Sequence, residues 1–316
     1  MKLSVALCTF NGGKFIEQQI SSILNQTIKV DEIIVCDDKS ADDTLLILKK
    51  LQVANPCIVI FENEINLRTT KNFEKAIQLC SGDYIFLADQ DDLWNKQKVA
   101  KILTVFEENP HTEGVFSNAN LIDENGSALS NKTIWNSVFF FENDMPKPIN
   151  YIDLISKNGN VVTGATLCIK KSIKDFIFPF SEKILHDEWI ASLLAFRNTL
   201  YYSSENLISY RVHENQQVGM KNLNKTEKMN RNKRIIIGLE IPVSFQEYRL
   251  LMKKIFLKQV VIKNFKKYNF EFIDYEKLQT QNILEWKEIN DKIKKAFPIQ
   301  YKLTTLIDAI RGKRTL

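Results

Sequence analysis

Hydrophobic and polar positions switch between two periods along the first 110 residues. Leu3 to Thr9 is a short apolar run of strand type. Phe15, Ile16, Ile20, Ile23 and Leu24 then recur at helical spacing. Glu32 to Cys36 predicts a second strand. Ser40-Ala41-Asp42-Asp43 matches a capping box ahead of a helix through Leu45 to Leu51. Cys57 to Phe61 predicts a third strand and Asn72 to Cys80 a helix; Tyr84 to Ala88 predicts a buried fourth strand, followed by a helix from Lys96 to Glu108. A β-α-β-α-β-α-β series argues for an α/β fold, a mostly parallel sheet with helices on both faces.

The pattern loosens after Pro110. Val115 to Asn118 and Val161 to Lys170 read as strands, His186 to Arg197 as a helix, and Leu200 to Ser203 with Asn206 to Val212 as a closing pair of strands. From Lys221 the character changes to Lys, Asn and Ile in long helical patterns such as Phe245 to Phe265. The expected domains are therefore 1–220 and a basic helical region 221–316.

Charge sharpens that division. Residues 1–216 hold 21 Lys and Arg against 28 Asp and Glu, net −7, whereas residues 217–316 hold 22 against 10, net +12. A basic tail on an acidic body predicts an anionic partner. Phe245, Leu250, Leu251, Ile255, Phe256 and Val260 make an apolar stripe with Lys253, Lys254 and Lys258 beside it. That suits a helix packed on the body, one lying on an anionic membrane, or one that self-associates into a homo-oligomer; nucleic acid is disfavoured. No apolar run approaches the roughly 18 residues that span a bilayer. The N-terminus is too short and too soon polar for a secretory signal. Five scattered cysteines without Cys-x-x-Cys read as small core residues of a reducing compartment. The expected location is cytoplasmic, peripheral on the inner membrane face.

The candidate chemistry begins where the fourth strand ends, at Asp89-Gln90-Asp91-Asp92. Carboxylates this close repel one another unless they are solvated or a cation neutralises them. A strand end in an α/β sheet is where a metal and a phosphate-bearing ligand could meet. Gly-x-Gly-x-x-Gly does not follow Thr9, which speaks against a dinucleotide oxidoreductase, and a Walker loop is absent.

Val5-Ala6-Leu7-Cys8-Thr9-Phe10-Asn11-Gly12, Ile34-Val35-Cys36-Asp37-Asp38-Lys39-Ser40 and Asp89-Gln90-Asp91-Asp92-Leu93-Trp94, in this order, resemble the family 2 glycosyltransferases, which have the GT-A fold. Leu87 to Trp94, His186-Asp187-Glu188-Trp189 and Tyr210-Arg211-Val212-His213 look most like the bacterial rhamnosyltransferase branch. The resemblance covers residues 1–215. It departs at Lys39, where the family usually has Gly or Asn, and at Arg68, where Gly often follows Asn66-Leu67; both leave the donor base or sugar open to differ.

The resemblance implies an inverting, metal-dependent transfer of a sugar from dTDP-rhamnose or a UDP-sugar. The acceptor would be a hydroxyl of a polysaccharide or lipid-linked glycan of the cell envelope. Asp91 would ligate Mn²⁺ or Mg²⁺, and Asp89 would hold the ribose and support the metal; Asp92 by its position could back the metal ligands or cap a helix, with the cap favoured. Asp38 would accept the imide N–H of uracil or thymine, with helix capping as the rival role. Phe10 would stack on the base or sit in the core, and Thr9 and Asn11 would hydrogen-bond nucleotide oxygens. Asn66, Arg68 and Lys71 are candidates for ribose or diphosphate contacts near a helix start. Arg211 would pair with phosphate, and His213 would contact phosphate or metal. Asp187 is the expected catalytic base, with Glu188 its rival. Gly164 and Ala165 interrupt a strand where a close approach needs small residues. The competing reading is a catalytically inert nucleotide- or sugar-binding module.

Overall fold

A computed structural model describes residues 1–214, 216 and 227–310. The expected boundary at Lys221 lies outside the described residues. The chain divides into two compact units, Met1–Glu142 with Val162–Lys221, and Asn143–Val161 with Asn222–Leu316.

The first unit is built on one nine-stranded sheet. Its strands are β1 (Leu3–Thr9), β2 (Glu32–Asp37), β3 (Ile58–Glu62), β4 (Tyr84–Ala88), β5 (Leu93–Trp94), β6 (Gly114–Ile122), β7 (Ala128–Thr133), β8 (Leu167–Lys170) and β9 (Leu200–Arg211). The helices α1 (Ile16–Leu24), α2 (Thr44–Ala54), α3 (Arg68–Leu79) and α4 (Lys98–Glu108) alternate with the early strands; α5 (Ile134–Val138) follows β7.

The strand order is β3-β2-β1-β4-β8-β6-β9-β5, with β7 beside β6. β1 pairs parallel with both β2 and β4, and β2 parallel with β3, as the alternating pattern requires. Beyond β4 the sheet is mixed, because β8 runs antiparallel to β4 and β6. The chain steps outward from β1 to β3 and then returns past β1 to form β4. Right-handed crossovers send α1 and α2 to one face and α3 to the other. The carboxyl ends of β1 and β4 flank that reversal, where open α/β sheets bind ligands.

Several local expectations change. Ser40 caps no helix; its amide and hydroxyl both bond Asp37, at 2.9 and 2.6 Å, and α2 starts at Thr44. α3 starts four residues before Asn72, at Arg68. The stretch from Val161 forms a 3₁₀ turn over Gly164–Thr166 before the short β8. The expected closing pair is one strand, β9, whose register against β6 shifts near Asn118. A bulge of this kind absorbs the polar Ser203–Asn206 stretch without ending the strand.

The second unit holds α6 (Tyr151–Asp153) with the π-helical turn Leu154–Asn158, then α9 (Glu227–Ile236), α10 (Phe245–Lys266), α11 (Tyr275–Ala296) and α12 (Pro298–Ile310). The first unit's remaining helices are α7 (Lys174–Ile177) and α8 (His186–Arg197). Ser244 and Glu247 close a capping box on α10, with bonds of 3.3 and 3.1 Å. The predicted stripe on α10 splits: Leu251 and Ile255 are buried, while Phe256 and Val260 face solvent. Lys258 is no surface cation, because it is buried against Asp153. Among the described residues no helix is long and apolar enough to cross a membrane. All five cysteines are free thiols, four of them buried.

Candidate functional site

A cavity of about 470 Å³ opens within the first unit over the carboxyl ends of β1, β2 and β4. One wall is the acidic end of β4. Gln90 joins the two central strands there. Its Oε1 accepts from the Thr9 hydroxyl at 2.7 Å and the Phe10 amide at 2.8 Å, and its Nε2 donates to the Phe10 carbonyl.

Asp89 and Asp91 line the cavity. Burial, then the charges of Asp91 and Asp187, push the Asp89 carboxyl up to about 7. Asp91 Oδ2 lies 2.8 Å from His213 Nε2, and both side chains are largely shielded. Asp92 lies behind them, fully buried, and precedes β5 rather than a helix. It therefore caps nothing; its Oδ1 accepts the Arg211 amide at 2.9 Å. Its Oδ2 has no partner among the described residues, and burial with Asp91 and Asp89 nearby pushes its carboxyl well up.

Lys98 is buried as well, donating to the Ala165 carbonyl at 2.8 Å and sitting 3.7 Å above the Trp94 ring. Burial lowers it to about 7 against the pull of Asp92.

The second wall comes from β1, β2 and α3. Thr9, Phe10, Asn11 and Asp38 all line the cavity. The Asp38 carboxylate is buried and accepts three hydrogen bonds: Asn63 Nδ2 at 2.9 Å, the Leu67 amide at 2.6 Å and the Arg68 amide at 2.9 Å. It thus satisfies amides at the start of α3, a helix beyond its own strand. Asn66 bonds the Asp38 carbonyl, and neither Asn66 nor Arg68 lines the cavity.

Three non-glycine residues around this wall have left-handed backbones: Asn11 (φ 50°), Lys39 (φ 66°) and Arg68 (φ 65°). Lys39 and Arg68 are the two departures from the family pattern, and both keep the backbone conformation that glycine adopts without strain. Such strain costs on the order of 1 kcal/mol each and gathers at ligand sites.

The third wall is the start of α8. Asp187 lines the cavity; its Oδ2 accepts the Gly164 amide at 3.1 Å and its Oδ1 the Glu188 amide at 2.7 Å. Glu188 does not line it. His186 is buried and stacks on Phe73, with ring centroids 3.9 Å apart and planes 12° off parallel. Among the described residues neither ring nitrogen has a hydrogen-bond partner, and burial lowers its pKa to about 3. A Cβ on Gly164 would stand 2.5 Å from His186 Nε2, so that position needs glycine.

Arg211 is buried outside the cavity lining. Its guanidinium donates to the carbonyls of Asp91 (2.7 Å), Asp123 (3.2 Å) and Glu124 (2.8 Å) and to Gln18 Oε1 (3.1 Å). It ties the Asp91 backbone to the 123–127 turn. Lys71 bonds Glu74 and the Phe180 carbonyl.

The cavity thus gathers Thr9, Phe10, Asn11, Asp38, Asp89, Asp91, Asp187 and His213, and leaves out Asn66, Arg68 and Arg211. Sequence reasoning assigned no role to Gln90, Lys98 or Lys14, which also take part; nothing in their spacing marks them. Among the described residues no three acidic, His or Cys side chains form a ready metal cage. Asp91 and His213 do offer an oxygen and a nitrogen donor side by side on a wall with excess negative charge. That donor set fits Mn²⁺ or Mg²⁺ completed by ligand oxygens.

Fold and site together define a GT-A nucleotide-sugar enzyme. The profile of glycosyl transferase family 2 matches residues 4–166, and the chain belongs to that family. Its relatives include the dTDP-rhamnosyl transferase RfbG of Shigella flexneri, 31% identical over 67% of this chain and 73% of that protein. The UDP-Glc:alpha-D-GlcNAc-diphosphoundecaprenol beta-1,3-glucosyltransferase WfaP of Escherichia coli is 27% identical over 76% of this chain and 87% of that one. The mannosyltransferase PcManGT of Pyrobaculum calidifontis, solved with GDP-Man and Mn²⁺, shares the fold. Its TM-score is 0.53 at 12% identity, covering 98% of this chain and 80% of that one. The protein is a glycosyltransferase.

Proposed function

We propose that the protein is an inverting transferase that moves a sugar from dTDP-rhamnose or a UDP-sugar onto a hydroxyl of a polysaccharide or lipid-linked glycan. The observation that carries this reading is one cavity holding an acidic strand end and, on a different wall, a carboxylate at a helix start. The two halves of the reaction need those two features. Asp187 takes the proton from the acceptor hydroxyl as its oxygen attacks the anomeric carbon. The Gly164 and Glu188 amides aim that carboxylate. On the opposite side the bond from the anomeric carbon to the diphosphate breaks, and the nucleoside diphosphate leaves.

Asp91 and His213, supported by Asp89, would hold Mn²⁺ or Mg²⁺, which would supply positive charge beside the diphosphate. Thr9, Phe10, Asn11 and Asp38 form the nucleoside end, and Asp89 the ribose contact. Arg211 acts by positioning the Asp91 loop rather than by touching phosphate. One relative's name carries a dTDP-rhamnosyl donor, and another's a UDP-Glc donor with a diphosphoundecaprenol-linked acceptor; these names support the donor and acceptor classes.

The basic second unit supplies a contact to a membrane surface. Exposed Phe256, Leu257 and Val260 beside exposed Lys253 and Lys263 support an anionic surface as its partner. Failure of the full-length protein to bind anionic liposomes at low salt sinks that part.

For the enzyme itself, donor hydrolysis with Mn²⁺ is compared between the native protein and Asp91→Asn. Loss of about a hundredfold or more is expected. Equal turnover overturns the metal role.

A further inference from the structure

The cavity is acidic, and what it is proposed to bind is an anion. Asp38, Asp89, Asp91, Glu124 and Asp187 all line it. A diphosphate entering such a wall meets repulsion that a protein cation would relieve. The cations favoured by sequence are engaged elsewhere or lie off the lining. Arg68 lies outside the lining, Arg211 is spent on carbonyls, and Lys71 is bonded to Glu74 and Phe180. Lys98 is buried away from the lining. Among the described residues, Lys14 is the one lysine or arginine that lines the cavity.

Lys14 follows the Gly12-Gly13 turn at the end of β1 and forms an ion pair with Glu124, which also lines the cavity. Its side chain is 61% exposed and that of Glu124 47%. Ion pairs this exposed are screened and exchange readily. Glu124 itself is anchored. Arg211 holds the Glu124 and Asp123 carbonyls and, through the same guanidinium, the Asp91 carbonyl. The Glu124 backbone is thereby tied to that of Asp91, and Lys14 is parked on the carboxylate that this backbone carries. The lysine has a flexible four-carbon stem and a point charge suited to changing partners.

We propose that Lys14 is the protein's own counter-charge for the diphosphate of the donor, held by Glu124 until the diphosphate arrives. This rests on the nucleotide-sugar reading of the cavity. Glu124 then acts as a competitor that the ligand must displace. It discriminates against nucleosides and other neutral molecules, which cannot draw Lys14 away.

The test is calorimetric titration of the full chain at low salt, with and without Mn²⁺. UDP, dTDP and GDP are each compared with the parent nucleoside. Lys14→Met is expected to weaken the bound diphosphate about tenfold and to leave the nucleoside unchanged. Glu124→Gln is expected to tighten the diphosphate about threefold, and the double variant to behave as Lys14→Met alone. An unchanged diphosphate affinity in Lys14→Met overturns the assignment, as does an equal loss for nucleoside and diphosphate. Absence of any nucleotide binding by the native protein overturns the cavity reading itself, and the assignment with it.

Discussion

Each of the two units buries a cluster of charges, and the two clusters are built in opposite ways. In the second unit Lys157 and Lys258, both buried, meet Asp153 and Glu285; Lys157 lies 2.9 Å from Asp153 and 2.5 Å from Glu285. Burial alone would raise the Asp153 carboxyl, yet the two lysines hold it below its usual range. In the first unit the buried Lys98 offsets Asp92 and Asp89, while the buried Arg211 guanidinium is spent on carbonyls; burial, then the charges of Asp91 and Asp187, push Asp89 up to about 7. Two cations matched to two anions need nothing further. Carboxylates that outnumber the lysine beside them hold protons more tightly or draw in a cation. Buried charge by itself therefore says little; buried charge left unbalanced marks a functional wall.

That contrast can be broken by substitution. The largest effect is expected at Asp187. Asp187→Asn should lower kcat about a thousandfold while leaving donor affinity unchanged and the melting temperature equal or higher, because it removes one charge from an over-acidic wall. Single-turnover kinetics and thermal melts check both halves; a stability loss like that of a core residue would count against the contrast.

Lys258→Met should do the reverse. It leaves Asp153 short of a partner and should cost on the order of 3 kcal/mol in urea unfolding, with UDP affinity unchanged.

The smallest effect is at His186. The native imidazole stays neutral down to about pH 3, whereas the unfolded chain takes up its proton near 6.5. Between these values the unfolded state binds more protons, so the contribution is complete above the higher value and is lost as pH falls. His186→Phe keeps the stack on Phe73. It should remove about 1 kcal/mol of the stability lost between about pH 7.5 and about pH 5.5. Parallel acid sensitivity in both proteins would show that the ring is not neutral in the fold.

Much of the scaffold was readable from residue pattern. β1 and β4 match their predicted spans to the residue, and α8 does as well. Each carries a strong period or an unbroken apolar run, and burial follows such runs. β5 was not readable, because a two-residue strand exists only through its pairing of Leu93 with Ser209, more than a hundred residues on. Asp92 looked like a cap because it precedes a helical pattern, but the chain first detours through β5. Arg211 reads as a phosphate ligand through the resemblance of its Arg-Val-His stretch to the family. Its burial against three carbonyls depends on the 123–127 turn, which no local signal ties to it.

The sequence by itself determined the α/β alternation, the order of the strand ends and the identity of the acidic residues on them. These depend on period and on residue type, which are local. Only the tertiary structure decided which charges share a cavity, which are neutralised elsewhere and which backbone positions carry strain. Those outcomes depend on distances between segments far apart in the chain. Asp187 and Asp91 line one cavity, and Lys14 reaches Glu124, because the sheet sets β6 and β8 on the far side of β4 from β2 and so brings distant loops together.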